Sequence, residues 1–285
     1  MGSFQYFRPT TLSELLKFKK KEGSHARILD GGSNVVVYVK EGSIERGTLV
    51  DVKYLGAMKG IKALDGTIEI GAGEVIADIL ESPLIRGKVP FLAEALRKFA
   101  NPLVRNMATL AGNIADSSPI GDTIPPLLVL GGRVLIASAD GERTIPLDQF
   151  FTGPGKNVLK PEEVILKVQF PIPSQGRGAF IKLGLRKGTS CSVASVAVWL
   201  IARGNTVEDI RIACGGVAPT PVRARKTEAA FKAKQLDWET INTISGEIVK
   251  EISPITDVRG SAEYRRRVSA RLLAKAVRKA LGMEE

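Results

Sequence analysis

Leu12, Leu15, Leu16 and Phe18 recur at helical spacing, with Lys17, Lys19, Lys20 and Lys21 set among them. Thr11-Leu12-Ser13-Glu14 opens that stripe as a capping box, so the pattern predicts a short helix with its lysines outside. Residues 26–29, 48–52 and 67–70 read as strands, the last after an Asp65-Gly66 turn. Residues 74–79 and 91–99 read as helices, the second with Leu92, Ala95, Leu96 and Phe99 at helical spacing. Pro125-Pro126 suits a first helical turn. Residues 133–137 and 143–146 flank Asp140-Gly141 as a hairpin, and 164–170 is a further strand.

The stretch 171–178 combines proline, glycine and polar residues and reads as the domain boundary. Beyond it, 179–185, 193–201 and 207–213 read as strands, then 226–231 and 240–251 as helices. A last helix begins near Ser261, where Tyr264, Val268, Leu272 and Ala276 recur every four residues. Its basic residues, Arg265, Arg266, Arg267, Arg271, Lys275, Arg278 and Lys279, are then expected on the outer face. That face is read either as serving an assembly through forked arginine–carboxylate pairs or as an ordinary solvated face with salt bridges inside the subunit.

Composition narrows the chemistry. The 285 residues are 44% hydrophobic and 25% charged, a globular balance with room for two domains. With only Cys191, Cys214 and His25, neither a Cys/His zinc centre nor a four-cysteine iron–sulfur cluster can be assembled from this chain alone. Redox chemistry here therefore requires an organic cofactor or a partner subunit. No apolar run approaches the ~20 residues of a membrane helix, and Met1 to Pro9 hold no signal-peptide core. The cytoplasm is the expected compartment. A net charge of +11 admits a nucleic-acid-binding reading, but aromatics at 6% leave little for base stacking.

Two small-residue segments stand out. Asp30-Gly31-Gly32-Ser33-Asn34 lies between the apolar Ile28-Leu29 and Val35-Val36-Val37, and reads either as a tight turn or as a nest of amides for a phosphate oxygen. Thr109-Leu110-Ala111-Gly112-Asn113 is a second such segment. Two facing nests suit the pyrophosphate of a dinucleotide. Asp122 then reads either as an acceptor for ribose hydroxyls or as a cap for the helix at Pro125.

Residues 113–128, then Gly141-Glu142-Arg143-Thr144-Ile145-Pro146-Leu147, Phe150-Phe151-Thr152-Gly153-Pro154, Lys160-Pro161-Glu162-Glu163-Val164-Ile165 and Ser261-Ala262-Glu263-Tyr264-Arg265-Arg266-Arg267, carry a family resemblance. Over essentially its whole length the chain resembles the FAD-binding medium subunit of molybdenum hydroxylases, such as xanthine dehydrogenase, carbon monoxide dehydrogenase and aldehyde oxidoreductases. The resemblance implies an α+β chain: a two-subdomain FAD-binding fold (PCMH-type) over 1–173, dividing near 57, and a C-terminal α+β domain over 177–285 with a three-stranded sheet and helices. It implies FAD on Ile28, Leu29, Asp30, Gly31, Gly32, Ser33, Asn34 and Val35, and on Thr109, Leu110, Ala111, Gly112 and Asn113. Phe99, Asp122, Ile165 and Lys182 complete the implied site, Asp122 at the cofactor's sugar and Ile165 and Lys182 closing over it.

The same resemblance implies molybdopterin on a large partner subunit, two [2Fe–2S] clusters on a small one, and an external electron acceptor. The implied assembly is a hetero-oligomer such as a dimer of heterotrimers. Alternatives are a free-standing reductase of the same fold, which fits the 261–267 motif less well, and the nucleic-acid binder. Two departures from the family pattern are noted. Ala111 stands where a glycine is usual, and Thr189-Ser190 stand where many relatives carry an aspartate after the basic pair matching Arg186-Lys187.

Overall fold

The computed structural model describes residues 3–186 and 191–283. The first subdomain contains β1 (Phe4–Phe7), α1 (Leu12–Glu22), β2 (Ala26–Leu29), α2 (Val35–Lys40) and β3 (Gly47–Asp51). Its three strands run parallel in the order β1-β3-β2. The Thr11 hydroxyl accepts from the Glu14 amide at 3.2 Å, as a cap should, while the Glu14 carboxylate reaches back one residue further than expected, to Thr10. Lys19 was expected outside and is buried. Its Nζ donates to the carbonyls of Gly23 and Ala26 at 3.0 and 2.8 Å, closing the helix end, and burial pushes its pKa down to about 8.

The second subdomain follows with β4 (Ile61–Leu64), β5 (Thr67–Gly71), α3 (Ile76–Glu81), α4 (Pro83–Lys88), α5 (Pro90–Arg97), α6 (Pro102–Arg105), α7 (Leu110–Asp116) and α8 (Ile124–Val129). Then come β6 (Arg133–Ser138), β7 (Gly141–Pro146), β8 (Phe151–Gly153), β9 (Lys156–Asn157) and β10 (Val164–Pro171). Its sheet has the antiparallel order β4-β5-β10-β6-β7. At the first hairpin both Asp65 and Gly66 have positive φ, +46° and +72°, as a two-residue turn of the primed kind requires. At the second, Ser138 pairs with Gly141, so the loop residues are Ala139 and Asp140, and Gly141 already belongs to the strand.

The C-terminal domain pairs three long strands, β11 (Arg177–Gly184), β12 (Ser192–Arg203) and β13 (Thr206–Gly215), with the two-residue β14 (Val222–Arg223) at the edge. Helices α9 (Arg225–Phe231), α10 (Trp238–Gly246) and α11 (Ala262–Leu281) follow. The predicted helix over 240–251 stops at Gly246 and ends in a separate 3-10 turn, Glu247–Lys250. β12 is apolar at nearly every position because both of its faces are covered, by α11 on one side and by α8 on the other. Phe91 of α5 packs edge-on against Trp199, and the first domain's core takes in Phe180, Ala197 and Ala213, while the C-terminal domain keeps a second core of its own under α11.

The inward face of α11 differs from the predicted stripe. Arg265, Ser269, Leu272, Leu273, Ala276, Val277 and Ala280 are buried, whereas Tyr264 is exposed and Val268 only half-buried. Arg265 is thus not an outer-face residue. It donates to the carbonyls of Val193 and Gly216 at 3.0 and 2.7 Å and pairs with Asp257 at 2.5 Å, so three acceptors meet its terminal nitrogens, while its buried Nε has no partner among the described residues. Arg266, Arg267 and Arg271 remain outside. No helix among the described residues is long and apolar enough to cross a membrane.

Candidate functional site

The two glycine segments, about eighty positions apart in sequence, meet in space. A Cβ placed on Gly31 would stand 1.8 Å from the Met107 carbonyl oxygen and 3.2 Å from the Ala108 Cα. Only glycine permits that approach. The next residue, Gly32, has φ +69°, the left-handed region that side chains rarely adopt. Ile28 and Leu29 end β2 and deliver the chain into this turn, and Val35 begins α2 directly after it.

The second segment is fixed from several sides. The Ile76 amide donates to the Ala108 carbonyl at 2.9 Å, and Val75 and Thr109 form a single bridge. Thr109 caps α7, its hydroxyl accepting from the Gly112 amide at 3.0 Å, and Leu110 and Ala111 are buried. The Asn113 carbonyl Oδ1 accepts from the Thr123 hydroxyl at 2.6 Å. Among the described residues, the amides of Gly31, Gly32, Ser33, Asn34 and Ala111 have no hydrogen-bond acceptor of their own. Five free donors around one backbone contact make an anion cradle that fits a pyrophosphate.

Asp30 brings a carboxylate to this cradle. Its Oδ2 lies beside Gly73, and burial pushes its pKa up to about 6 against the opposing pull of Lys59. Composition and spacing gave no sign of that consequence, because the residues that bury Asp30 come from other parts of the chain.

Asp122 does not cap α8. Thr123 occupies the cap position, with no capping bond from its side chain. Asp122 is instead buried between Lys182 Nζ, 2.5 Å from one oxygen, and the Ser192 hydroxyl, 2.5 Å from the other. Burial raises its pKa, and the Lys182 ammonium opposes that rise. Lys182 is itself largely buried and also donates to the Lys98 carbonyl at 3.1 Å, next to half-buried Phe99. Lys98 in turn donates to the Phe180 carbonyl.

Hydrogen bonds link Asn113 to Thr123, and Asp122, the residue before it, to Lys182, which reaches Lys98 next to Phe99. Ile165 is buried on β10, where the register slips between it and Lys167, and α7 packs on that strand. Sequence reasoning passed over Lys98, Met107, Thr123 and Ser192; nothing in their spacing marks them. Of the segment noted for its departure from the family pattern, residues 187–190 lie outside the described residues. Two cavities, of about 290 and 210 Å³, are lined by Arg86, Pro90, Ala93 and Arg97 and by residues around Glu69; the second includes Lys59, whose side chain lies with Asp30 beside Gly73.

Comparison with known proteins shows the family. Residues 2–173 match the family described as the FAD binding domain in molybdopterin dehydrogenase, and residues 179–280 match the CO dehydrogenase flavoprotein C-terminal domain. The chain is 31% identical over 275 residues to the carbon monoxide dehydrogenase medium chain of Hydrogenophaga pseudoflava, spanning 96% of each. It is 31% identical over 274 residues to the glyceraldehyde dehydrogenase medium chain of Sulfolobus acidocaldarius, again 96% of each. Among solved structures, carbon monoxide dehydrogenase from H. pseudoflava superposes with a TM-score of 0.94 at 30% identity, over 99% of this chain and 98% of that one. Quinoline 2-oxidoreductase from Pseudomonas putida 86 does so with a TM-score of 0.94 at 25% identity, over 99% of each chain. With both domains matched in order and the relatives aligned almost end to end, this chain belongs to the FAD-binding medium subunits of the molybdenum hydroxylases.

Proposed function

We propose that this chain carries FAD as the electron-transfer subunit of a heteromeric molybdenum hydroxylase. It would receive electrons from [2Fe–2S] clusters on a small partner, fed by a molybdopterin-bearing large subunit, and deliver them to an external acceptor. A cytoplasmic assembly such as a dimer of heterotrimers is the expected setting. The observation that carries the reading is the cradle: Gly31 in backbone contact with Met107 and Ala108, directly ahead of the second glycine segment, with free amides at Gly31 to Asn34 and at Ala111.

Those amides would hold the pyrophosphate, with Ile28, Leu29, Val35, Leu110, Gly112 and Asn113 shaping the groove. Asp122 would still accept from sugar hydroxyls, since a carboxylate offers about four lone-pair sites and two of its contacts are made within the chain. Lys182 offsets the cost of burying that carboxylate and ties the second domain to the site, while Phe99 and Ile165 would supply apolar contact. Bound FAD would supply the redox chemistry, and the protein its orientation and electrical surroundings. Relatives named for carbon monoxide, glyceraldehyde and quinoline share this architecture, which supports placing substrate choice on another subunit.

The test is the purified chain itself. One FAD per chain, with molybdenum- and iron-containing partners captured from the native source, is the expected result. A chain that binds FAD and turns over alone would favour the free-standing reductase. Failure to bind FAD, with salt-sensitive capture of duplex DNA, would favour the nucleic-acid reading.

A further inference from the structure

The two jaws of the cradle are anchored unequally. Helix α7 buries Leu110, Ala111 and Ile114, and its far end is held by Asn157, whose amide donates to the Ala115 carbonyl at 3.0 Å and to the Ser117 hydroxyl at 2.9 Å. Helix α2 has no buried residue, and its sequence, Val35-Val36-Val37-Tyr38-Val39-Lys40, is a poor helix former. Val36 and Val37 are each 43% exposed. Hydrophobic burial therefore does little to decide where α2 lies.

One side-chain bond crosses between the two helices. The Tyr38 hydroxyl donates to Asp116 Oδ1 at 2.8 Å. Tyr38 stands one turn into α2, the helix that follows the Gly31–Asn34 turn, and Asp116 is the last residue of α7. The Asn34 side chain, at the mouth of the first jaw, also lies within hydrogen-bonding reach of the same hydroxyl. Burial and the bond to Asp116 push the Tyr38 pKa up to about 12, so the phenol remains a donor at neutral pH.

We infer that Tyr38, through its hydrogen bond to Asp116, is a positioning residue that holds the first cradle loop at the right separation from the second. The inference rests on the flavin reading of the cradle. Tyr38 touches no part of the dinucleotide in this account; it acts by ordering the amides that do. Without the bond, α2 keeps its hydrogen bonds but loses its lateral tie, and the loop must be reordered each time the dinucleotide binds.

The experiment measures the FAD dissociation constant and off-rate of the full-length chain by flavin fluorescence, together with the melting temperature of the flavin-free protein. Tyr38→Phe is expected to weaken FAD about tenfold, the loss typical of one hydrogen bond to a charged group. The flavin-free melting temperature should move by no more than about 2 °C. Asp116→Ala should weaken FAD equally, and the double variant no further, because both remove one interaction. Asp116→Asn keeps an acceptor at Oδ1 and should retain affinity within about threefold. Wild-type FAD affinity in Tyr38→Phe overturns the clamp while leaving the flavin site standing, and so does an additive double variant. A wild-type chain that binds no FAD overturns both readings together.

Discussion

The first cradle loop and the second do the same task with opposite kinds of support. The second is built into the core: its cap, bridge and buried leucine hold it regardless of what it binds. The first hangs from the end of a parallel strand and leads into a helix without a buried residue. On the proposed reading, with one jaw anchored and the other not, affinity for the dinucleotide would depend on how little the less anchored jaw must be reordered.

Breaking the contact between the jaws should have the largest effect. Gly31→Ala places a methyl group 1.8 Å from a backbone oxygen, which no rotamer change relieves. FAD retention should be lost, with a stability cost of roughly 1–3 kcal/mol from forced backbone movement. Flavin content after gel filtration and urea unfolding read the two separately.

Next comes the base of the rigid jaw. Asp122→Ala leaves the Lys182 ammonium buried without its carboxylate. Removing one member of a buried pair costs about 3–5 kcal/mol in general; with exposures of 10% and 8% this pair is near that regime but not fully dry, so about 3 is expected. FAD affinity should fall as well. Equal loss of stability with and without FAD, at unchanged affinity, would restrict Asp122 to a structural tie between the domains.

A smaller effect separates the two glycine segments. A Cβ on Gly112 meets only the Thr109 hydroxyl, at 2.8 Å, which can rotate away. Gly112→Ala should therefore cost about 1 kcal/mol, the worth of the displaced cap, and weaken FAD far less than Gly31→Ala. Comparable losses in the two variants would erase the distinction between the jaws.

The smallest effect is on pH. The folded-state pKa of Asp30 is raised to about 6 from an ordinary 3.8, so the folded chain holds this proton more tightly than the unfolded one. Its contribution to stability is full below about pH 4 and declines as pH rises through 6. On the proposed reading the same ionisation would set a carboxylate beside the pyrophosphate, so FAD should bind several-fold more tightly at pH 5 than at pH 7.5. Asp30→Asn should flatten that profile; a slope that survives the substitution places the titrating group elsewhere.

Local chemistry made much of this molecule legible. The Thr11 cap, the primed turn at Asp65-Gly66 and the strand over 193–201 follow from side-chain type and short-range spacing, which act within a few residues. The family motifs extended that legibility to domain order and to which segments are glycine-rich. The position of Lys19 was misread because its pattern is that of a solvated face, while the carbonyls that draw it inward belong to the turn beyond the helix. Arg265 was misread for the same reason: Val193, Gly216 and Asp257 are strangers to its helix.

What the sequence determined by itself was composition-limited chemistry and local conformation: no imidazole or thiolate set for a metal, two flexible small-residue turns, and an α+β succession of elements. Only the tertiary structure decided which glycine bears the close approach, that Asp122 faces Lys182 and Ser192, and that Tyr38 reaches Asp116. Each of those facts is a contact between residues some sixty to eighty positions apart. Such contacts are selected by the packing of whole elements against one another, and no local pattern encodes their distance.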